Sequence, residues 1–143
     1  MGITFYQLLE ATKPEEIKFK IDWKNGKFEA FVDGKHVGQA FITHRGGGKY
    51  TLDAIDVPEE LQRRGYGTAI MRKIAEYLRS VEAVSLFSSN EGSGTVQILD
   101  RVFGRRNVKH KHGGNVIPYK KAVHIMDVDY GYTGSEVDLR KSV

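Results

Sequence analysis

A chain of 143 residues, 40% hydrophobic and 28% charged, is long enough to bury a core and ordinary enough in composition to be globular. It has no cysteine, which excludes disulfides, thiolate metal ligands and a cysteine nucleophile. The net charge of +4 is unevenly placed, with seven Lys or Arg and no acid from Arg101 to Met126 and an acidic balance from Asp127 onward. Such a basic block reads first as solvated surface, with a phosphate-bearing ligand or an acidic partner as the alternative.

The N-terminus lacks the basic start and apolar stretch of a signal peptide. No apolar run approaches the roughly 20 residues of a membrane span. The expectation is a cytoplasmic protein without membrane attachment. Residues 4–11 read as a short helix ending before Pro14. In residues 17–24, Ile17, Phe19, Ile21 and Trp23 alternate with polar residues, a strand with one buried face. Asn25-Gly26 is a hairpin signal, residues 27–32 the return strand, and Asp33-Gly34 a second hairpin. A third strand spans 35–44, a glycine turn covers 46–48, and a fourth strand occupies 49–57. The period then changes. Ile70, Ile74, Leu78 and Val81 fall at helical spacing in residues 66–81. A buried-type strand is predicted at 83–89 and a second helix at 95–103. Two closing strands are predicted at 107–112 and 120–130, and a mobile tail at 131–143. The whole reads as one α+β domain, residues 1–143, in three layers. Its sheet is mostly antiparallel, and a right-handed crossover from residue 49 to residue 89 makes one pair parallel.

One connection is richer than a turn needs. Gln62-Arg63-Arg64-Gly65-Tyr66-Gly67-Thr68 lies between the end of a strand and the start of a helix. A helix N-terminus carries unpaired N–H groups and about +0.5 of an elementary charge. Glycines 65 and 67 let the backbone turn and approach a ligand closely, and two arginines add charge. The combination suits phosphate or pyrophosphate. It is neither a P-loop nor a dinucleotide fingerprint, because the Gly-Lys-Ser/Thr ending and the third glycine are absent.

This stretch resembles the Gln/Arg-x-x-Gly-x-Gly/Ala motif of the GNAT superfamily of acyl-coenzyme A-dependent N-acetyltransferases, and the order of elements from about residue 17 to residue 130 is similar to that family's. The resemblance implies an enzyme that moves an acetyl group from acetyl-coenzyme A to an amine. It implies that backbone N–H groups of Arg63, Arg64, Gly65, Tyr66, Gly67 and Thr68 cradle the pyrophosphate, with Gln62, at the head of the motif, also a coenzyme-binding residue. Backbone groups of Ile55 and Val57 would pair with the pantetheine, in a slot where the central strand and the strand at 83–89 splay apart. Asn90 resembles a family asparagine that contacts coenzyme A. A carboxylate near the central strand is implied as the base, and Asp53 is the candidate here. Many members carry an acidic tyrosine on the next helix; the matching position is Leu99, which leaves Ser89, Tyr119 or water as the acid, or a thiolate that departs unassisted. The acceptor wall between strands one and two is reduced to a hairpin. An open groove favours a protein or peptide acceptor, with a second subunit as one possible source of a wall. The alternatives are a non-catalytic coenzyme- or partner-binding protein of this fold and a basic nucleic-acid-associated module.

The remaining groups read more plainly. His110, His112 and His124 would lie on neighbouring strands, but the basic surroundings disfavour a cation, so no metal is expected. Exposed aromatics are sparse around the lysines and arginines of 101–121, so nucleic acid binding is not expected either. Arg101, Arg105 or Arg106 is a competing candidate for a coenzyme phosphate. Trp23 reads as packing.

Overall fold

The structure is a computed structural model that describes residues 16–89, 93–128 and 133–140. The helix expected at 4–11 and Asn90 lie outside the described residues. The described elements are β1 (Lys18–Asp22), β2 (Lys27–Val32), β3 (Lys35–Gly46), β4 (Lys49–Asp56), α1 (Tyr66–Ser80), β5 (Ser85–Ser89), α2 (Ser93–Phe103), β6 (Val108–His112), β7 (Asn115–Ile117), α3 (Tyr119–Val128) and β8 (Thr133–Asp138). The strands form one sheet in the order β1-β2-β3-β4-β5-β8-β6-β7.

The antiparallel meander β1–β4 follows from alternation and turn chemistry. In β2, Phe28, Ala30 and Val32 are buried and their neighbours are not. Asp33 and Gly34 both take positive φ, 51° and 77°, as the tight primed turn between Val32 and Lys35 requires. The β1–β2 connection is longer than the two-residue turn expected of Asn25-Gly26. Asp22 pairs with Lys27, and the Asp22 carboxylate accepts from the Asn25 backbone N–H at 3.2 Å and from its side-chain Nδ2 at 2.8 Å. Gly26 has φ 65°, and a Cβ there would lie 2.0 Å from the Ile42 carbonyl oxygen, so this position admits only glycine without displacement. Trp23 therefore sits in the turn. It is 59% exposed and stacks on Tyr77 at 4.8 Å between ring centroids, instead of facing the core.

β4 and β5 are the parallel pair, joined through α1. Ile70, Met71, Ile74, Ala75 and Leu78 line one side of α1 and are buried. They pack on Ile42, Tyr50 and Leu52 of the sheet and against Leu99 and Phe103 of α2. α3 rests on α2 through Ala122 and Val96.

Two expectations for the C-terminal third are corrected. Residues 120–130 do not form a strand: α3 occupies Tyr119–Val128. Pro118 precedes its first residue and accepts the first helical bond from the Ala122 N–H at 2.9 Å. The stretch expected as a tail supplies β8, which pairs antiparallel with β5 on one side and β6 on the other. The strand that follows β6 is instead β7, turned back on it through Gly113 and Gly114.

Candidate active site

Among the described residues, the sheet has one seam that opens. β4 and β5 pair from Lys49–Ser85 to Leu52–Ser88 and no further, although β4 continues to Asp56. On its other side β4 stays paired with β3 to the end, Ala40 with Ile55 and Gln39 with Asp56. The free edge of residues 53–56 therefore faces a gap where β5 would be. That register shows the splay expected of these two strands.

A cavity of about 690 Å³ lies beside this free edge, between β4, the following loop, the start of α1 and α2. β4 contributes Ile55 and Val57 to its wall. The following loop and the first turn of α1 contribute Gln62, Arg63, Gly65, Tyr66, Gly67 and Thr68, with Leu61 behind them. The opposite wall is α2: Gly94, Gln97, Ile98 and Arg101, with Thr95. Of the expected cofactor residues, only Arg64 and Asn90 are not among the lining residues, and Asn90 is not described. The α2 wall was not anticipated, apart from Arg101. Its signal was present in the spacing, since 94, 97, 98 and 101 fall on one helical face.

The loop is built in three steps. A 3-10 turn at Glu59–Leu61 is closed by the Leu61 N–H donating to Pro58 O at 2.8 Å. Gln62 Nε2 then donates back to the Val57 carbonyl at 3.0 Å, so this side chain braces the loop as well as lining the cavity. Finally Arg63 and Gly65 both adopt left-handed backbone, φ 65° and 86°. Alternating backbone hand around Arg64 is the arrangement from which anion-binding concavities are made.

These residues fit a coenzyme pyrophosphate. α1 begins without a side-chain cap and with no acid in its first turn. Its N-terminal positive end is therefore not neutralised by a neighbouring carboxylate. A Cβ added at Gly65 would meet nothing within 4 Å, so the space over the loop is open. At Gly67 the reason is different: a Cβ would lie 2.9 Å from Ile98 Cδ1, and glycine allows α1 and α2 to approach. Arg101 Nη1 donates to Thr68 Oγ1 at 3.1 Å, which fixes a guanidinium beside the helix start.

The candidate base lies outside this cavity. The register of β4 against β3 steps from Phe41–Ala54 to Ile42–Leu52, leaving Asp53 as an extra residue in a bulge. The bulge interrupts the simple alternation that would otherwise set Asp53 on the face of Ile55 and Val57. Asp53 bonds Thr43 Oγ1, accepts from Thr51 Oγ1 at 3.0 Å, and lies 3.7 Å from Arg45 Nη2. Ile55 and Val57 pack against the core and line the cavity. Leu99, at the position the resemblance gives to a tyrosine, is 1% exposed. Ser89 is exposed at the end of β5, and Tyr119 lies under Arg105, 4.0 Å from guanidinium carbon to ring centroid. The three histidines do not converge: His110 and His112 are on β6 and His124 is on α3.

Comparison with known proteins agrees with this geometry. The sequence matches the acetyltransferase (GNAT) family over residues 3–97. No curated protein matches it. The fold is similar to that of the IAA acetyltransferase from Bacillus cereus, with a TM-score of 0.56 at 12% identity over 78% of this chain and 76% of the other. It is similar to Ard1 from Thermoplasma volcanium, with a TM-score of 0.55 at 15% identity over 96% of this chain and 82% of the other. It is also similar to the PaiA N-acetyltransferase from Thermoplasma acidophilum, solved in complex with coenzyme A, with a TM-score of 0.55 at 11% identity over 78% of this chain and 59% of the other. With a family match across more than half its length, the chain belongs to the acetyltransferase (GNAT) family, and its cosubstrate is acetyl-coenzyme A.

Proposed function

We propose that the protein acetylates an amine presented by a protein or peptide. The observation that carries this reading is the β4–β5 seam: it opens beyond Leu52–Ser88, and nothing in the short β1–β2 turn builds a second wall on the acceptor side. Acetyl-coenzyme A supplies an activated thioester carbonyl. The chain's own residues bind and orient it. The N–H groups at the start of α1 hold the pyrophosphate, with Arg101 and Thr68 beside them. Backbone groups of Ile55 and Val57 align the pantetheine, and an N–H from this edge is positioned to stabilise charge on the carbonyl oxygen. Holding both reactants in one slot removes much of the entropic barrier.

The acceptor amine must lose a proton to attack, since a lysine amine near its ordinary pKa of about 10.4 is charged at neutral pH. Asp53 is the base in this account. Three neighbours fix its carboxylate: the Thr43 and Thr51 hydroxyls and the Arg45 guanidinium. Single-domain organisation and a cytoplasmic setting belong to the same reading, supported by composition and by the single eight-stranded sheet.

The test measures thiol release from acetyl-coenzyme A with a lysine-containing peptide and with free lysine. The peptide is expected to be the better acceptor by kcat/KM. Asp53→Asn is expected to lower kcat on the order of 100-fold with the KM for acetyl-coenzyme A unchanged. Equal use of free lysine would remove the peptide reading, and an unaltered kcat would remove Asp53 as base.

A further inference from the structure

Among the described residues, a buried row of polar side chains crosses the sheet beneath α2. Ser88 of β5 is the register partner of Ser135 of β8, and Ser135 is the partner of His110 of β6. Asp100 of α2 closes the row. His110 Nε2 lies 2.9 Å from Asp100 Oδ1, and His110 Nδ1 lies 2.8 Å from Ser135 Oγ. Ser88, Ser135, His110 and Asp100 are 3%, 2%, 3% and 7% exposed. The other groups that face this histidine are Arg105, whose Nε is 3.8 Å from Asp100 Oδ2, and the Tyr119 ring, 6.2 Å away between centroids.

The row ends on an unpaired group. Ser88 Oγ is buried and has no hydrogen-bond partner among the described residues. A buried hydroxyl left unpaired calls for an explanation. Its position offers one, because Leu52–Ser88 is the last pair before β4 and β5 separate. Pantetheine laid along the free edge from Val57 past Ile55 runs toward the last β4–β5 pair, Leu52–Ser88, although Ser88 itself is not among the residues that line the cavity. The nearby α2 side chain, Leu99, has no proton to give.

We propose that Ser88 is the hydrogen-bond and proton donor to the coenzyme A sulfur as it leaves, and that Ser135, His110 and Asp100 are the positioning row that resupplies it. This rests on the acetyl-transfer reading above. Cross-strand partners hold their Cβ atoms about 4.5–5.5 Å apart, so a rotation of the Ser88 hydroxyl closes the row. With both ring nitrogens of His110 protonated, Nε2–H donates to Asp100 and Nδ1–H donates to Ser135. Ser135 then donates to Ser88, and Ser88 to sulfur. As the C–N bond forms and the C–S bond breaks, the thiolate takes the Ser88 proton, Ser88 takes that of Ser135, and Ser135 takes that of Nδ1. Once coenzyme A has left, water enters the emptied slot and a solvent proton returns along the same hydroxyls, from Ser88 through Ser135 to His110 Nδ1, while the amine's proton leaves through the base, so the overall balance is neutral.

The experiment titrates the thiol of coenzyme A bound to the full chain, read by thiolate absorbance, and so needs no acceptor. Ser88→Ala is expected to raise the bound thiol's pKa by about one unit, the size of one lost charge-assisted hydrogen bond. Its melting temperature should not fall, because the removed hydroxyl bonds nothing. His110→Asn is expected to raise the thiol pKa as well, by a smaller amount. The same thiol pKa in Ser88→Ala and the parent, with coenzyme bound to both, overturns the proposal. No shift in a folded, coenzyme-binding His110→Asn protein overturns the supplying row. A parent chain that binds no coenzyme overturns the transferase reading beneath it. Should His110→Asn fail to fold, Ser88→Ala alone decides.

Discussion

Arg63 takes a left-handed backbone at φ 65°, which an L side chain adopts only at a cost, two residues before Gly65 does the same at φ 86°. Gly65 was legible in the sequence because glycine advertises its conformation, whereas nothing in the residue type of Arg63 announces a left-handed backbone. Asp53 shows the same limit from another side. Its residue type suggested a base, but the bulge that turns it toward Thr43 and Thr51 depends on register with β3 and leaves no local mark. Tyr50 carries a residue-scale prediction. Burial, reinforced by a hydrogen bond with Tyr77, pushes its phenol above the ordinary tyrosine range. A pKa raised on folding means that the unfolded chain loses its proton first as pH rises. Stability from this group is therefore complete below about pH 10 and declines as pH climbs through the folded value. Thermal melts between pH 8 and 11.5 should show this alkaline decline, and Tyr50→Phe should reduce it. An identical alkaline slope in the variant would contradict the assignment.

At the scale of elements, the meander and α1 were legible because each local signal agreed with the others. Alternation marked β2, the dipeptide Asp33-Gly34 marked its turn, and the 3.6-residue stripe of Ile70, Ile74 and Leu78 marked the helix. The C-terminal third was not legible. Residues 122–128, Ala-Val-His-Ile-Met-Asp-Val, offer apolar positions that suit either a strand or a helix. β8, Thr-Gly-Ser-Glu-Val-Asp, has weak strand propensity, and pairing on both edges holds it in place. The end of α1 supplies a prediction. The Ala83 N–H donates to Leu78 O at 2.9 Å and the Glu82 N–H to Arg79 O at 3.1 Å, a Schellman cap whose left-handed position is occupied by Glu82 at φ 55°. Replacing Glu82 with glycine removes the Cβ penalty and should raise stability by about 1 kcal/mol. Urea denaturation measures it, and a loss of stability in Glu82→Gly would refute the cap.

For the molecule as a whole, one eight-stranded sheet opens at one described seam, and the loop, both helices and the polar row meet around it. No described helix is long and apolar enough to cross a membrane. The cofactor half of the site was legible because it is nearly contiguous in sequence, from Ile55 to Thr68. The α2 wall and the Ser88–Ser135–His110–Asp100 row were not, since strands far apart in the chain bring them together. The central claim is that the loop and the α1 N-terminus hold the coenzyme pyrophosphate. Calorimetric titration of coenzyme A into the protein and into Gly65→Glu tests it most directly. The account predicts a micromolar Kd for the parent chain, weakened by about 100-fold or more when a carboxylate is set in the open space over the loop, equivalent to roughly 2.7 kcal/mol. Absence of binding to the parent chain, or the same Kd in a folded Gly65→Glu protein, would contradict it.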